Sequence, residues 1–252
     1  MVVACIGAGL VGRAWAIVFA RAGHEVRLFD ETHGVALAAV AFAREVLPVL
    51  KAEDLLEDDP DAVLARMHVA SSLAAALEGA DHIQESTPER LEVKRAVFAE
   101  LDRLADDGAT IGSSSSAILP SAFTEDLAGR HRCMIVHPIN PPYLVPAAEV
   151  VPAPWTDVAL RDRVADLLRA CGMSPIVMER EIDGFVMNRL QGALLEEAFR
   201  LVADGYASVD VQGELVSNED GSVDGIPNQS ESGFYVIGLD NVPLVDLAGL
   251  LM

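Results

Sequence analysis

Short apolar runs alternate with longer segments of helical periodicity from the first residues of the chain. Val2–Ile6 is apolar and ends at a glycine, Leu10–Ala22 has helical character, and Val26–Phe29 is a second apolar run that ends at Asp30. A strand, a glycine turn, a helix and a second strand within about 30 residues predict a βαβ unit.

The same alternation continues to about residue 203. Strands alternating with helices predict an α/β fold with a Rossmann-type, doubly wound, mostly parallel sheet. The last helix is expected to leave that sheet and begin a second, helical domain. The further predicted helices are Val35–Leu50, bent or ended by Pro48, then Ser71–Glu78, Pro88–Leu104, Thr156–Cys171 and Asp183 to about Ala203. The further predicted strands begin at Val69 and cover His82–Glu85, Ala109–Gly112, Cys133–Val136, Glu149–Val151 and Pro175–Met178.

Composition narrows the classes of partner. The 252 residues include 18 Lys and Arg against 39 Asp and Glu, a net charge of −21, and 51% are hydrophobic. So negative a chain is not expected to bind nucleic acid or an anionic membrane. No apolar run is long enough for a transmembrane helix. The three cysteines are odd in number and widely spaced, which is typical of reduced thiols and predicts a cytoplasmic location.

The motif Gly7-Ala8-Gly9-Leu10-Val11-Gly12 follows the first predicted strand and opens the first helix. In a dinucleotide-binding turn, Gly7 permits the tight bend, Gly9 lets a pyrophosphate approach the backbone, and Gly12 lets the helix pack against the strand. The N–H groups at the start of the helix, at Leu10 and Val11, then face the phosphates.

Asp30 ends the second strand, 18 residues after Gly12. A carboxylate there hydrogen-bonds ribose hydroxyls and repels a 2′-phosphate, so NAD is predicted rather than NADP. Two alternatives remain open at this point: FAD, which uses the same turn, and a glycine turn that serves packing alone. No metal-ligand set is predicted.

Two further groups follow predicted strands. Ser113–Ser116 ends one strand, and His137 ends another directly before the rigid turn Pro138–Pro142. Ligands bind at the carboxyl ends of such strands. Glu149, on a strand that can return beside His137, is suited to orient it as a general base. The alternatives are a capping serine loop and a structural histidine.

These residues resemble the L-3-hydroxyacyl-CoA dehydrogenase family, in particular the short branch with lambda-crystallin and L-gulonate 3-dehydrogenase. The resemblance covers about residues 1–210. Its specific stretches are GAGLVGRAWA at 7–16, SSSSAILPS at 113–121, HPINPPYLVPAAEVVP at 137–152 and DGFVMNRLQGALLEEAFRLV at 183–202.

The resemblance implies an NAD-dependent enzyme that oxidises the 3-hydroxyl of a small L-3-hydroxy acid or an L-3-hydroxyacyl-CoA. It implies that His137 and Glu149 form the catalytic pair and that Ser116 and Asn188 contact the substrate. It also places Glu89 and Lys94 near the nicotinamide half of the cofactor, so both are predicted to bind the cofactor together with the glycine motif and Asp30. A homodimer is implied as well. The alternative is an NAD(H)-binding structural or regulatory protein of weak activity.

The resemblance stops near residue 210, and the last cationic side chain of the sequence is that of Arg200. Residues 201–252 hold nine acidic residues and no Lys or Arg. The predicted organisation is therefore an NAD-binding domain at 1–182, the first helix of a helical domain at 183–210, and a divergent tail at 211–252. The tail is either a divergent or truncated end, such as a frame error produces, or a replacement lid or interaction segment. We expect a weakened dimer and low activity.

Overall fold

The computed structural model describes residues 1–206. The sequence also predicts a short strand at 234–239 and an apolar end at 242–252. Both, like the rest of the predicted tail at 211–252, lie outside the described residues. The strands are β1 Val2–Ile6, β2 Glu25–Phe29, β3 Met67–Val69, β4 His82–Glu85, β5 Thr110–Ser113, β6 Cys133–Pro138, β7 Ala147–Pro152 and β8 Ser174–Val177. The helices are α1 Leu10–Arg21, α2 His33–Ala52, α3 Pro60–Leu64, α4 Leu73–Leu77, α5 Leu91–Leu104, α6 Ser121–Thr124, α7 Val158–Ala170 and α8 Met187–Ala203.

One eight-stranded sheet has the order β3-β2-β1-β4-β5-β6-β7-β8. Neighbouring strands are parallel except β6 and β7, which are antiparallel, and β8 runs parallel to β7. The predicted Rossmann-type, mostly parallel sheet is therefore confirmed. From β1 the strand order runs through β2 to β3 on one side and from β4 to β8 on the other. A crevice therefore opens between the carboxyl ends of β1 and β4, where such sheets bind ligands.

Helices cover the sheet with two apolar clusters. In one, Trp15 and Phe19 of α1 stack at a centroid distance of 5.3 Å and are fully buried with Leu47 of α2. In the other, Phe98 of α5 packs edge-on against Phe123 at 4.7 Å. Strand β1, between them, is buried along almost its whole length, which explains why its sequence VVACI is a continuous apolar run rather than an alternating one.

The structure differs from the predicted elements in several places. Helix α8 begins at Met187 rather than at Asp183, because Gly184 and Phe185 have positive φ values of 75° and 47° that a helix does not allow. Pro48 does not end α2. Its missing N–H costs the helix one hydrogen bond, but Leu47 and Leu50 on either side of it stay buried, and their packing holds the helix together. Val69 ends β3 instead of beginning it, since this three-residue edge strand pairs through Met67 with β2. Helices α3 and α6 are not predicted, although the side chain of Asp59 caps the N-terminus of α3.

The three cysteines are free and buried. Burial raises the pKa of the Cys5, Cys133 and Cys171 thiols to about 12. They stay protonated at neutral pH and pack as apolar side chains. This agrees with the reduced state predicted from their number and spacing.

The chain divides into two compact units, Met1–Val186 and Met187–Met252. The first contains the whole sheet, and α8 is the described helix of the second. Among residues 1–206, none of the helices is long and apolar enough to cross a lipid bilayer.

Candidate active site

The glycine loop joins β1 to α1 and has the shape that its sequence predicts. Gly7 has φ +86°, and a Cβ there would lie 2.6 Å from the carbonyl oxygen of Ser86. A Cβ at Gly12 would lie 1.8 Å from the carbonyl oxygen of Gly7. Only glycine fits either position, so the turn and the approach of the helix to the strand depend on both residues.

The outer side of the same loop is open. A Cβ at Gly9 would meet no atom within 4 Å, and Gly9 provides no side-chain cap to α1, whose first turn carries no acidic residue. The first N–H groups of a helix have no partner within the helix and attract anions. The loop therefore fits a dinucleotide pyrophosphate. The adjoining cavity of about 370 Å³ is lined by Ala8, Gly9, Leu10, Arg13, Thr32, Gly34, Val35, Ala38 and Ala39.

Asp30 connects the loop after β2 to the glycine loop. One carboxylate oxygen accepts the N–H of Ala8 and the other accepts the N–H of Thr32, both at 2.9 Å. Ala8 and Thr32 line the cavity, so the negative charge of Asp30 is fixed beside it. That placement suits the predicted contact with a ribose and disfavours a 2′-phosphate.

Arg13 is a cavity residue that the sequence analysis does not single out. Its guanidinium lies over the ring of Phe42, 3.7 Å from the centroid. The position directly after Gly12, on the first turn of α1, is the signal that could have identified it. A cation held there favours an anionic ligand in a chain of strongly negative net charge.

His137 and Glu149 face each other across the antiparallel strands β6 and β7. His137 Nδ1 lies 2.8 Å from Glu149 Oε2, and Glu149 Oε1 accepts the N–H of Val186 at 2.7 Å. Glu149 is completely buried and His137 is 8% exposed, with the ring of buried Phe185 5.7 Å away. A carboxylate only accepts, so Nδ1 carries the proton and Nε2 is left as the basic nitrogen. The predicted pair is thus brought together, while its catalytic role stays a prediction.

Glu89 organises the loop that carries the serine run. Its Oε1 accepts the Ser115 hydroxyl at 2.5 Å and the N–H groups of Ser116, Ala117 and Ile118 at 3.1, 3.1 and 3.3 Å. A single carboxylate oxygen therefore fixes the backbone beside Ser116. The contact with the nicotinamide half, implied by resemblance, stays a prediction, whereas these four hydrogen bonds show a positioning role.

Lys94 and Glu85 form a buried ion pair below the crevice. Lys94 Nζ donates to both Glu85 oxygens at 2.8 and 2.9 Å and to the carbonyl of Thr87 at 3.0 Å. The two side chains are 1% and 0% exposed. Glu85 also accepts the hydroxyl of Ser113 at 2.6 Å and the N–H of Thr87 at 2.5 Å. All three ammonium protons of Lys94 are donated to acceptors within the protein, so Lys94 stabilises the residues around Glu85 and Thr87. Its contact with the cofactor stays a prediction.

The two predicted substrate contacts lie in different units. Ser116 lies in the loop after β5, at the carboxyl edge of the sheet that also holds Gly7 and His137. Asn188 lies on α8 in the second unit. Both assignments stay predictions.

Comparison with known proteins identifies the family of the first 182 residues. A model of the 3-hydroxyacyl-CoA dehydrogenase NAD-binding domain matches residues 2–182. The lambda-crystallin homolog of Bos taurus is 45% identical over 208 residues, which are 82% of this chain and 65% of that protein. The L-carnitine dehydrogenase of Streptomyces griseus is 38% identical over 207 residues, 82% of this chain and 61% of that protein.

Solved structures show the same architecture. The 3-hydroxybutyryl-CoA dehydrogenase of Escherichia coli K12 matches with a TM-score of 0.78 at 27% identity, over 84% of this chain and 44% of that chain. The match spans less than two thirds of the length of either curated relative.

Proposed function

Since the chain belongs to the 3-hydroxyacyl-CoA dehydrogenase family and its matching domain is the NAD-binding one, we propose that it is an oxidoreductase acting on a 3-hydroxyl group. The proposed reaction converts a small L-3-hydroxy acid or an L-3-hydroxyacyl-CoA to the 3-oxo product. The observation that carries this proposal is the His137–Glu149 pair, in which a buried carboxylate leaves Nε2 of His137 as a base.

The chain's own residues divide the work. The glycine loop, with Gly7, Gly9 and Gly12, and Asp30 would hold NAD, which when bound supplies the hydride acceptor. His137 would take the proton of the 3-hydroxyl at Nε2. Glu149 would hold the ring and offset the positive charge that develops on it.

Ser116 and Asn188 would hydrogen-bond the reacting oxygen or the neighbouring carboxyl or thioester carbonyl. For Ser116, the support is its backbone, which Glu89 fixes at the carboxyl edge of the sheet. For Asn188, the support is the family resemblance of its helix.

A free hydroxy acid is the substrate class we favour, because HPINPPY at 137–143 resembles the gulonate and lambda-crystallin branch. The test is NAD reduction by the purified protein with L-gulonate, L-3-hydroxybutyrate, L-carnitine and 3-hydroxybutyryl-CoA. Turnover of a free acid is expected. Activity with the CoA ester alone would overturn the preference, and no NADH formation with any of the four would count against the proposed function.

A second function is favoured by the length of the match, which covers 65% of the Bos taurus relative and 61% of the Streptomyces griseus relative. In this alternative, the chain would bind NAD(H) as a weakly active structural or regulatory protein. It would also form a weakened homodimer. Tight NADH binding without turnover, and a monomer by light scattering, would favour this alternative over the enzyme. We also propose a cytoplasmic location, which suits three buried free thiols.

Asp30 is expected to set the preference for NAD over NADP. The change Asp30→Asn keeps an acceptor oxygen for only one of the two backbone amides that Asp30 accepts, those of Ala8 and Thr32, and removes the charge that repels a 2′-phosphate. We expect the ratio of the NADP to the NAD dissociation constant to fall by about tenfold, which corresponds to about 1.4 kcal/mol. Calorimetric titration with both cofactors measures it, and Asp81→Asn is a control remote from the cavity. An unchanged ratio would contradict the role of the charge.

A further inference from the structure

A chain of polar side chains crosses the core of the sheet from β4 and β5 to its carboxyl edge. His82 and Gln84 of β4 are completely buried. His82 contacts Thr110 at 2.8 Å and Gln84 at 3.3 Å, and Gln84 contacts Ser114 at 2.8 Å. Unpaired polar groups at such depth are costly, so each contact must have a definite donor and acceptor.

Gln84 determines which group donates and which accepts in this row of hydrogen-bonded side chains. Its Nε2 lies 3.2 Å from the carbonyl oxygen of Val136, which only accepts, so this atom must be the nitrogen of the amide. Oε1 then faces Nε2 of His82 and accepts its proton. Burial lowers the pKa of His82 to about 4, so the ring is neutral at pH 7 and Nδ1 accepts the Thr110 hydroxyl.

Ser114 receives two donors at one oxygen. Trp15 Nε1, which only donates, lies 3.0 Å from Ser114 Oγ, and Gln84 Nε2 lies 2.8 Å from it. A hydroxyl oxygen accepts two hydrogen bonds and donates one. With both acceptor positions filled, the Ser114 proton must point to its remaining partner, Ser86 Oγ, at 2.9 Å.

Ser86 Oγ therefore accepts the hydroxyl proton of Ser114, and the hydroxyl proton of Ser86 itself is left to be donated to another group. Among residues 1–206, the side-chain hydrogen bond of Ser86 Oγ is the one to Ser114 Oγ. Ser86 directly follows β4 and is half-buried. Its carbonyl oxygen would lie 2.6 Å from a Cβ on Gly7, and its Cβ would lie 3.4 Å from one on Gly12. This places it at the crevice between β1 and β4, against the glycine loop.

We propose that Ser86 binds NAD by donating its hydroxyl proton to an acceptor oxygen of the dinucleotide, and that Trp15, Gln84 and Ser114 are positioning residues that hold it in the donor state. The proposal assigns Ser86 as a further cofactor-binding residue. It rests on the proposed function only in that NAD is the ligand of the glycine loop, and it does not depend on the substrate.

The first test is the NAD dissociation constant of Ser86→Ala, measured by calorimetry. A lost hydrogen bond of about 1.4 kcal/mol corresponds to about tenfold weaker binding. Ser174→Ala, an exposed serine at the start of β8, is the matched control and is expected to bind NAD as the wild type does. Wild-type affinity in Ser86→Ala would overturn the proposal.

The second test asks whether Trp15, by donating to Ser114, makes Ser114 the donor in its hydrogen bond to Ser86. Trp15 is completely buried, and Trp15→Phe keeps an aromatic ring beside Phe19 while removing the N–H that fills one acceptor position of Ser114. Ser114 can then accept from Ser86, so we expect NAD binding to weaken by about two- to fivefold. A variant that unfolds at a lower temperature yet binds NAD normally, at a temperature where it is folded, would overturn the positioning role.

These outcomes separate the inference from the proposed function. If Ser86→Ala binds NAD normally and the wild-type protein oxidises a 3-hydroxy acid, the inference fails alone. If Ser86→Ala binds NAD weakly and the wild-type protein oxidises none of the four substrates, the proposed function fails alone.

Discussion

Replacing His137 with alanine is expected to reduce kcat for the 3-hydroxy substrate by about 10²–10⁴-fold, the usual contribution of a general base. The basic nitrogen Nε2 is lost, whereas the glycine loop and Asp30 are untouched. The NAD dissociation constant should therefore stay at the wild-type value. Initial rates of NADH formation at saturating NAD and substrate measure the effect. A variant with near-normal kcat would contradict the assignment of His137 as the base.

Two further variants sharpen this test. Glu149→Gln keeps the shape of the buried side chain but lets its amide donate to Nδ1, which moves the ring proton to Nε2 and removes the base. A loss that approaches that of His137→Ala is expected. His68→Ala, at an exposed position of β3, is the matched control and should leave kcat unchanged. If Glu149→Gln were fully active, the carboxylate would not set the ring proton.

Replacing Lys94 with methionine is expected to destabilise the protein by about 3–5 kcal/mol, because it leaves a buried carboxylate without its counter-charge. The ammonium and Glu85 are both almost inaccessible to water. Thr87, whose carbonyl also accepts from Lys94, follows the crevice residue Ser86, so its backbone should loosen as well. The free energy of unfolding, obtained by urea titration, measures the change.

The matched variants separate charge from packing. Glu85→Gln combined with Lys94→Met removes the stranded charge and keeps an acceptor, so part of the lost stability should return. Lys51→Met, an exposed lysine at the end of α2, should change the unfolding free energy by less than about 0.5 kcal/mol. A loss as small as this for Lys94→Met, or no recovery in the double variant, would contradict the buried ion pair as the stabilising contact.

Much of the fold could be predicted because the relevant signals are local. Glycines at positions 7 and 12 are required by close contacts around one βα turn, so their spacing in the sequence is enough to predict the turn. His137 and Glu149 lie on two short strands joined by a proline-rich turn, so the sequence already suggests that they face each other. The bounds of weaker elements, such as β3, depend on pairing with a distant strand and were less well predicted.

The supporting polar contacts could not be predicted, because each joins residues that are far apart in sequence. Lys94 meets Glu85 from a helix, and a lysine with three good acceptors looks no different in sequence from one that faces a ligand. Trp15 and Ser114 are 99 residues apart, and their hydrogen bond exists only because α1 packs on the face of the sheet formed by β1, β2 and β4.

The sequence by itself determined the class of fold, the glycine loop with its cofactor, and the histidine with its carboxylate partner. These depend on periodicity, on backbone conformations that exclude a Cβ, and on short connections. Only the tertiary structure decided what each polar side chain does once buried: that Lys94 is paired with Glu85, that Glu89 fixes the serine loop, and that Ser86 has a proton left to donate. Burial removes water as a partner, so donors and acceptors must be matched across the fold, and that matching is a property of the packed structure.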